Sequence, residues 1–231
     1  MILYRDMKLT SRFPGSSVLL FSAAIIFNNW LLAILVNRSL LTKGGSVSEL
    51  SAQGQPHTWL FRALDIVSGL LFMAAAYLLF KRHKNMASWR WLVIVTAILG
   101  LANIVDTLLP LPCAATVVAS CSSPIHLSFN HFSIPSHAYS STIIGICYVI
   151  LPIAGYSFAA KHRNKLLQTL SAVSLLATLI FFILLFKESS TGSYTGSATA
   201  GYSQEIQMII LGVWFWAWAK DPALISGDGE L

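Results

Sequence analysis

Long apolar stretches separated by short charged or polar segments dominate the chain. Six runs, at residues 17–36, 59–80, 91–109, 137–160, 166–186 and 203–219, are nearly free of charge. Each approaches the roughly 20 residues that a helix needs to cross about 30 Å of hydrocarbon. None alternates apolar and polar residues as a half-buried strand would. The pattern predicts an all-α, polytopic membrane protein: a six-transmembrane-helix bundle forming one domain over residues 1–220, with a short polar, disordered tail at 221–231. Pro152 is expected to interrupt the fourth helix. Trp214, Trp216 and Trp218 close the sixth run and read as an interfacial aromatic anchor. The first run exceeds the 7–15 apolar residues of a secretory signal and has no small-residue cleavage site, so it reads as a retained helix.

Composition agrees with this pattern. The 231 residues are 55% hydrophobic and 10% charged, with mean hydropathy +0.68, against about 25% charged in soluble domains. The formal net charge of +6 does not indicate nucleic acid, because the basic residues stand in short clusters beside apolar runs. Arg5, Lys8 and Arg12, then Lys81, Arg82, Lys84 and Arg90, then Lys161, Arg163 and Lys165, and finally Lys220 fall on one side of the bundle. The positive-inside rule makes that side cytoplasmic and puts both termini there, in what we expect to be a prokaryotic cytoplasmic membrane. The connections on that side are short. Those on the other side, 37–58, 110–136 and 187–202, are longer and suit a cap over the helix ends. The third is rich in Gly, Ser and Thr and reads as mobile.

Candidate chemistry gathers on the long-loop side. Residues 106–137 hold Asp106, Cys113, Cys121, His126, His131 and His137. Cys113 and Cys121, on the oxidising side, predict a disulfide that holds the loop; Cys147, mid-helix, reads as a small buried apolar residue. Asp106 lies one turn before Pro110, either as a solvated helix end or as a carboxylate meeting a histidine across the bundle. His126, His131 and His137 with a carboxylate would suit zinc with an open water position, although spacings of five and six do not share a helix face. His137 does share a face with Ser140 and Ser141. Histidine, serine and Asp106 together would support nucleophilic catalysis, while helix capping and interhelical hydrogen bonds are the plainer reading of the serines.

Asp65 and Arg62, three apart in the second run, are expected to pair on one helix face, with Arg62 also able to hold a phosphate or carboxylate headgroup. Glu49, His57 and Glu205 fall on the same side as possible substrate contacts; Glu205 also reads as a first-turn acid favourable to the helix dipole. His83 and His162 lie in basic turns on the opposite side and read as topology or headgroup contacts.

The runs Val47-Ser48-Glu49-Leu50-Ser51-Ala52 and Pro56-His57-Thr58-Trp59-Leu60-Phe61-Arg62, then Asp65 with Gly69, resemble the six-helix prokaryotic membrane family called domain of unknown function 998. The Asp106…Pro110 helix end, the His137 helix start and Gly201…Gln204-Glu205 are similar to it as well. That resemblance implies fold and topology. A looser likeness, to membrane hydrolases of the alkaline ceramidase and adiponectin-receptor type, implies a zinc-dependent hydrolase. Six runs replace the seven helices of those enzymes, and their late-helix HxxxH pair is absent.

The expected function is an outward-facing site that hydrolyses or remodels a lipid or amphiphile at the outer leaflet. Asp106, His137 and Ser140 would be catalytic, and zinc a candidate cofactor on His126, His131 and His137. Glu49, His57, Arg62, Asp65 and Glu205 would be substrate contacts. The alternative is a non-enzymatic lipid-binding, transport or membrane-assembly protein without a metal. A quinone-linked thiol oxidase is a third class and would need Cys113 and Cys121 to be reactive.

Overall fold

A computed structural model describes residues 14–82, 87–118, 121, 136–190, 199–222 and 224. Among these the chain is all helix and turn, with no strand. The helices are α1 (Gly15–Phe27), α2 (Ala33–Val36), α3 (Arg38–Thr42), α4 (Thr58–Arg82), α5 (Ala87–Leu108), α6 (Ser136–Lys161), α7 (Lys165–Ser190) and α8 (Thr199–Ala219). Four of them, α4 to α7, are long and apolar enough to cross a membrane. A fifth crossing results if α1 and the segment Asn29–Val36 form one bent span. The chain is thus a multi-pass membrane protein, with outward-facing Leu35, Ile183 and Phe186 among many exposed apolar side chains.

The long helices form a ring. Each of α4 to α8 packs on its neighbour in sequence, α1 packs on α4, and α8 closes against α1. Where α4 and α5 cross, Gly69 and Gly100 face each other. A Cβ on either would lie 2.5 Å from the other's carbonyl oxygen, so these glycines let the two backbones touch.

The first apolar run is not one continuous helix. It bends by 43° between Phe27 and Asn29 and continues as a 3-10 turn, Asn29–Leu32. The cause is a pair of asparagines inside the run. Asn28 Nδ2 bonds back to the Ala24 carbonyl at 3.0 Å, and Asn29 turns inward to Asp65. Asparagine side chains that compete for backbone and buried partners weaken helix continuity. By contrast, α6 runs through Pro152 as one helix of 26 residues, so the expected interruption there is corrected.

The two ends of the ring differ. At one end the turns are tight. Asn164 caps α7 by accepting from the Leu167 amide at 3.0 Å and donates to Asp221 at 2.7 Å. Asp221 and Leu224 are buried, so the start of the expected disordered tail is docked. A column of aromatic rings rises from this end: His162 on Phe158, Phe158 on Trp89, Trp89 on Trp218, then Phe215, Phe72, Phe27 and Tyr148. Trp214 and Trp218 are fully buried within it, so they are core residues and not an interfacial anchor. Their spacing of four places both on the inner face. Only Trp216 between them is partly exposed, under Lys220. His162 is likewise committed to a ring stack.

The other end is capped by the long connections. Val47 donates its amide to Gln204 on α8 at 2.9 Å, and Thr116 donates its amide to Glu49 at 3.1 Å. The Gln53 amide reaches the Leu111 carbonyl at 3.0 Å. The first turn of α8 lies against the first connection: a Cβ on Gly201 would collide with the Gly44 carbonyl oxygen. Cys113 and Cys121 form the expected disulfide, with Cα atoms 5.9 Å apart, and Cys147 is free and buried.

Candidate functional site

The capped end holds a buried polar layer between α1, α4, α5 and α6. Two carboxylates organise it, one from α4 and one from α5. A charged group at membrane depth is costly and is retained where a partner or a ligand meets it.

Asp106 stands on the last turn of α5 and faces the first two turns of α6. Ser140 donates to its Oδ1 at 2.6 Å, and Ser141 Oγ lies 2.9 Å from the same oxygen. His137 Nδ1 lies 3.4 Å from it and 3.0 Å from the Leu109 carbonyl. The opposite ring nitrogen, Nε2, lies 3.2 Å from Ser141 Oγ. A carbonyl can only accept, so the Leu109 contact calls for a proton on Nδ1; the Ser141 hydroxyl donates to Asp106 Oδ1, and its oxygen also lies against Nε2. His137 and Asp106 keep 10% and 16% of their side chains exposed, so the group is shielded without being sealed.

The expected convergence of Asp106, His137 and the serines is therefore present, with one change of emphasis. Ser140 is buried, and its hydroxyl also meets the His137 carbonyl at 2.9 Å. It holds the carboxylate. Ser141, one position on and half-buried, touches the other ring nitrogen, Nε2. The helical spacing of four from His137 was the signal for it.

Asp65 is organised separately. Its Oδ1 accepts from Asn29 Nδ2 at 2.5 Å and its Oδ2 from Ser51 Oγ at 3.3 Å. Asn103, one turn before Asp106, donates to the Asp65 carbonyl at 2.8 Å and ties α5 to α4 at this level. Arg62 does not pair with Asp65, as the spacing of three suggested. Its Nε and Nη2 both donate to the Ser51 carbonyl, at 3.0 and 2.8 Å. A loop carbonyl lying across the helix start captures the guanidinium fork, and those two donors are not open to a headgroup. Asn29, Ser51 and Asn103 were not expected as site residues; the paired asparagines in an apolar run were the available signal.

The remaining candidates are not gathered here. Glu49 is buried in the cap. Its Oε1 holds the Thr116 amide, and its Oε2 is enclosed without a hydrogen-bond partner. His57 is exposed just before α4, with φ of 56°. Glu205 lies in the second turn of α8, because that helix begins at Thr199. The expected first-turn role therefore fails, and its Oε1 is buried unpaired. The α8 amide end is served instead by Glu188 Oε1, which accepts from Thr199 Oγ1 and the Ala200 amide. His126 and His131 lie outside the described residues, as does His83. Of the histidines expected to bind zinc, only His137 is described, and both its ring nitrogens are engaged as above. Among the described residues no three His, Cys, Asp or Glu side chains converge as a metal site.

These features define a polytopic all-helical membrane protein with a polar layer under one end. The family model described as "Protein of unknown function (DUF998)" matches residues 17–221, and the chain belongs to that family. No curated protein and no solved structure matches, and the likeness to ceramidase-type hydrolases is not shown by these comparisons.

Proposed function

We propose that this protein is a membrane hydrolase of the serine type that acts on an ester-linked lipid or amphiphile at the outer leaflet. The observation that carries the reading is the linked set Ser141 Oγ, His137 Nε2, His137 Nδ1 and Asp106. Nucleophile, base and orienter are recognised by such geometry and not by fold. In the step we envisage, His137 Nε2 takes the Ser141 proton as Oγ attacks the ester carbonyl. The same proton is then given to the departing alcohol, leaving an acyl-serine. Water, activated in turn by Nε2, releases the acid and restores Ser141. The Leu109 carbonyl and Asp106 hold the Nδ1–H tautomer throughout.

The topology that fits this reading has six crossings, α8 being the sixth, with both termini in the cytoplasm and the capped end outside. The basic residues Lys81, Arg82, Arg90, Lys161, Arg163, Lys165 and Lys220 at the tight-turn end support that orientation.

The test is ester turnover by the purified chain in vesicles of defined phospholipid. Ser141→Ala, His137→Ala and Asp106→Ala are expected to lower it by at least about a thousandfold. Folded variants that retain full turnover would refute the proposal. The second reading, a non-enzymatic ligand-binding or transport protein, draws on the break in the first span directly over Asp65, since discontinuous helices form many transport sites. It predicts saturable ligand binding with no turnover in the native chain.

A further inference from the structure

The segment closed by the disulfide reaches into the cap. Between Cys113 and Cys121, Ala114 and Ala115 are buried, and the Thr116 amide donates to Glu49 Oε1 at 3.1 Å. Glu49 is 2% exposed, and its other oxygen, Oε2, is enclosed without a hydrogen-bond partner. That oxygen faces Gly45, where a Cβ would lie 2.9 Å from it. A polar atom buried without a partner costs free energy that contact with water would return. Among the described residues the Thr116 amide is the one hydrogen bond that this carboxyl receives. Glu49 is therefore kept dry at a cost, and Thr116 is what keeps it there.

Glu49 belongs to the 3-10 turn Val47–Ser51, and the far end of that turn holds the polar layer. The Ser51 carbonyl accepts from Nε and Nη2 of Arg62, and the Ser51 hydroxyl donates to Asp65 Oδ2. Each link from the disulfide to Arg62 is thus a direct contact or a shared turn. The packing of the segment itself is thin. Its enclosed residues are two alanines, whose methyl groups bury little apolar area, and Val117 is only half-buried. Ring closure by the disulfide therefore supplies much of what holds Thr116 in place.

We propose that the Cys113–Cys121 disulfide is a reducible latch on the cap, and that opening it frees the Arg62 guanidinium beside the polar layer. Cys113 is half-buried and Cys121 buried, so an external dithiol attacks as its thiolate at the Cys113 sulfur. The S–S bond breaks, Cys121 leaves, and the second sulfur of the dithiol then displaces Cys113 from the mixed disulfide. Two electrons and two protons pass to the protein. The dithiol departs as a cyclic disulfide, and both cysteines become thiols. With the ring open, Thr116 leaves Glu49, the carboxyl takes up water, and the turn Val47–Ser51 no longer keeps its last carbonyl across Arg62. The proposal concerns the cap and stands whether or not the layer hydrolyses an ester.

The experiment treats the full chain in a neutral maltoside detergent with dithiothreitol and verifies reduction by iodoacetamide labelling of Cys113 and Cys121. Arg62 is then labelled with phenylglyoxal and read by mass spectrometry, alongside hydrogen exchange over residues 47–51 and over α7. Reduction is expected to raise Arg62 labelling and exchange over 47–51 by at least about tenfold each, and to leave α7 unchanged. A chain carrying both Cys113→Ser and Cys121→Ser should show the raised values without dithiothreitol and no further change with it. Glu49→Ala removes the link between segment and turn, so its Arg62 labelling should be the same with and without reduction. Four results would overturn the proposal: a disulfide that dithiothreitol does not reduce in the folded chain, a reduced chain with unchanged Arg62 labelling, a rise in Glu49→Ala equal to that in the wild type, or an equal rise in α7 exchange, which marks general loosening. The wild-type measurements decide the matter if either variant does not fold.

Discussion

The two ends of the helix ring use opposite means of filling the space between helices. At the tight-turn end the space is taken by rings: Trp89, Phe158, Trp214 and Trp218 are all fully buried. At the capped end it is taken by Asp65, Asp106, His137, Asn103 and three hydroxyls, Ser51, Ser140 and Ser141. The contrast separates anchoring from chemistry. Aromatic packing gives rigidity and presents mostly apolar surface, with the Trp214 N–H already given to Ser171. The polar layer costs stability at membrane depth and is retained where such groups can meet a ligand.

If this division is correct, substitutions at the two ends should move different quantities. The largest effect is expected for Trp218→Ala. Removing a fully enclosed indole should cost about 3–5 kcal/mol of stability, read as a lowered midpoint in denaturing-detergent titration. Any Trp218→Ala protein that remains folded should keep its ester turnover. Loss of turnover with stability unchanged would break the division. Next, Cys113→Ser should cost about 2–3 kcal/mol from the opened loop of eight intervening bonds. Because the disulfide lies in the cap, it should also increase proteolysis of the second connection, while leaving the protection of α7 against hydrogen exchange unchanged. Asn164→Ala removes the α7 cap and its tie to Asp221. The expected loss is about 1 kcal/mol, with no effect at the capped end. The smallest change is expected for Leu35→Ala. This residue is 81% exposed and its stability effect should stay within about 0.5 kcal/mol; a larger loss would mean that a partner covers that face.

Much of the fold was legible in the sequence because hydrocarbon tolerates few alternatives to uninterrupted apolar helix. The boundaries of α4 to α7 follow the apolar runs closely. The bend in the first run was less legible, because a hydropathy reading averages over Asn28 and Asn29 and sees only a long span. The tryptophans near the end of α8 show a second limit. Position near a helix end suggested an interface, yet alternate residues of a helix face opposite ways, and only Trp216 points outward.

At the site, local spacing succeeded where the partners share a helix or abut it, as with His137, Ser141 and Asp106. It failed for Arg62 and Asp65. Both residues do lie on one face, but each is captured by the first connection or by Asn29, through contacts 11 to 36 positions away in sequence. Glu205 misled for another reason: α8 begins four residues earlier than its apolar run, because Glu188 supplies acceptors to its first turn.

The closure of the ring between α1 and α8 also bears on biogenesis. The helix that completes the ring is the last of the described helices in chain order. Until it arrives, the surfaces of α1 and α7 that it covers stand open in the bilayer, including the Ser171 hydroxyl that receives Trp214 Nε1 at 2.8 Å and the Thr178 hydroxyl that meets Gln207. A nascent chain halted before α8 presents these hydroxyls to lipid as a mark of incompleteness.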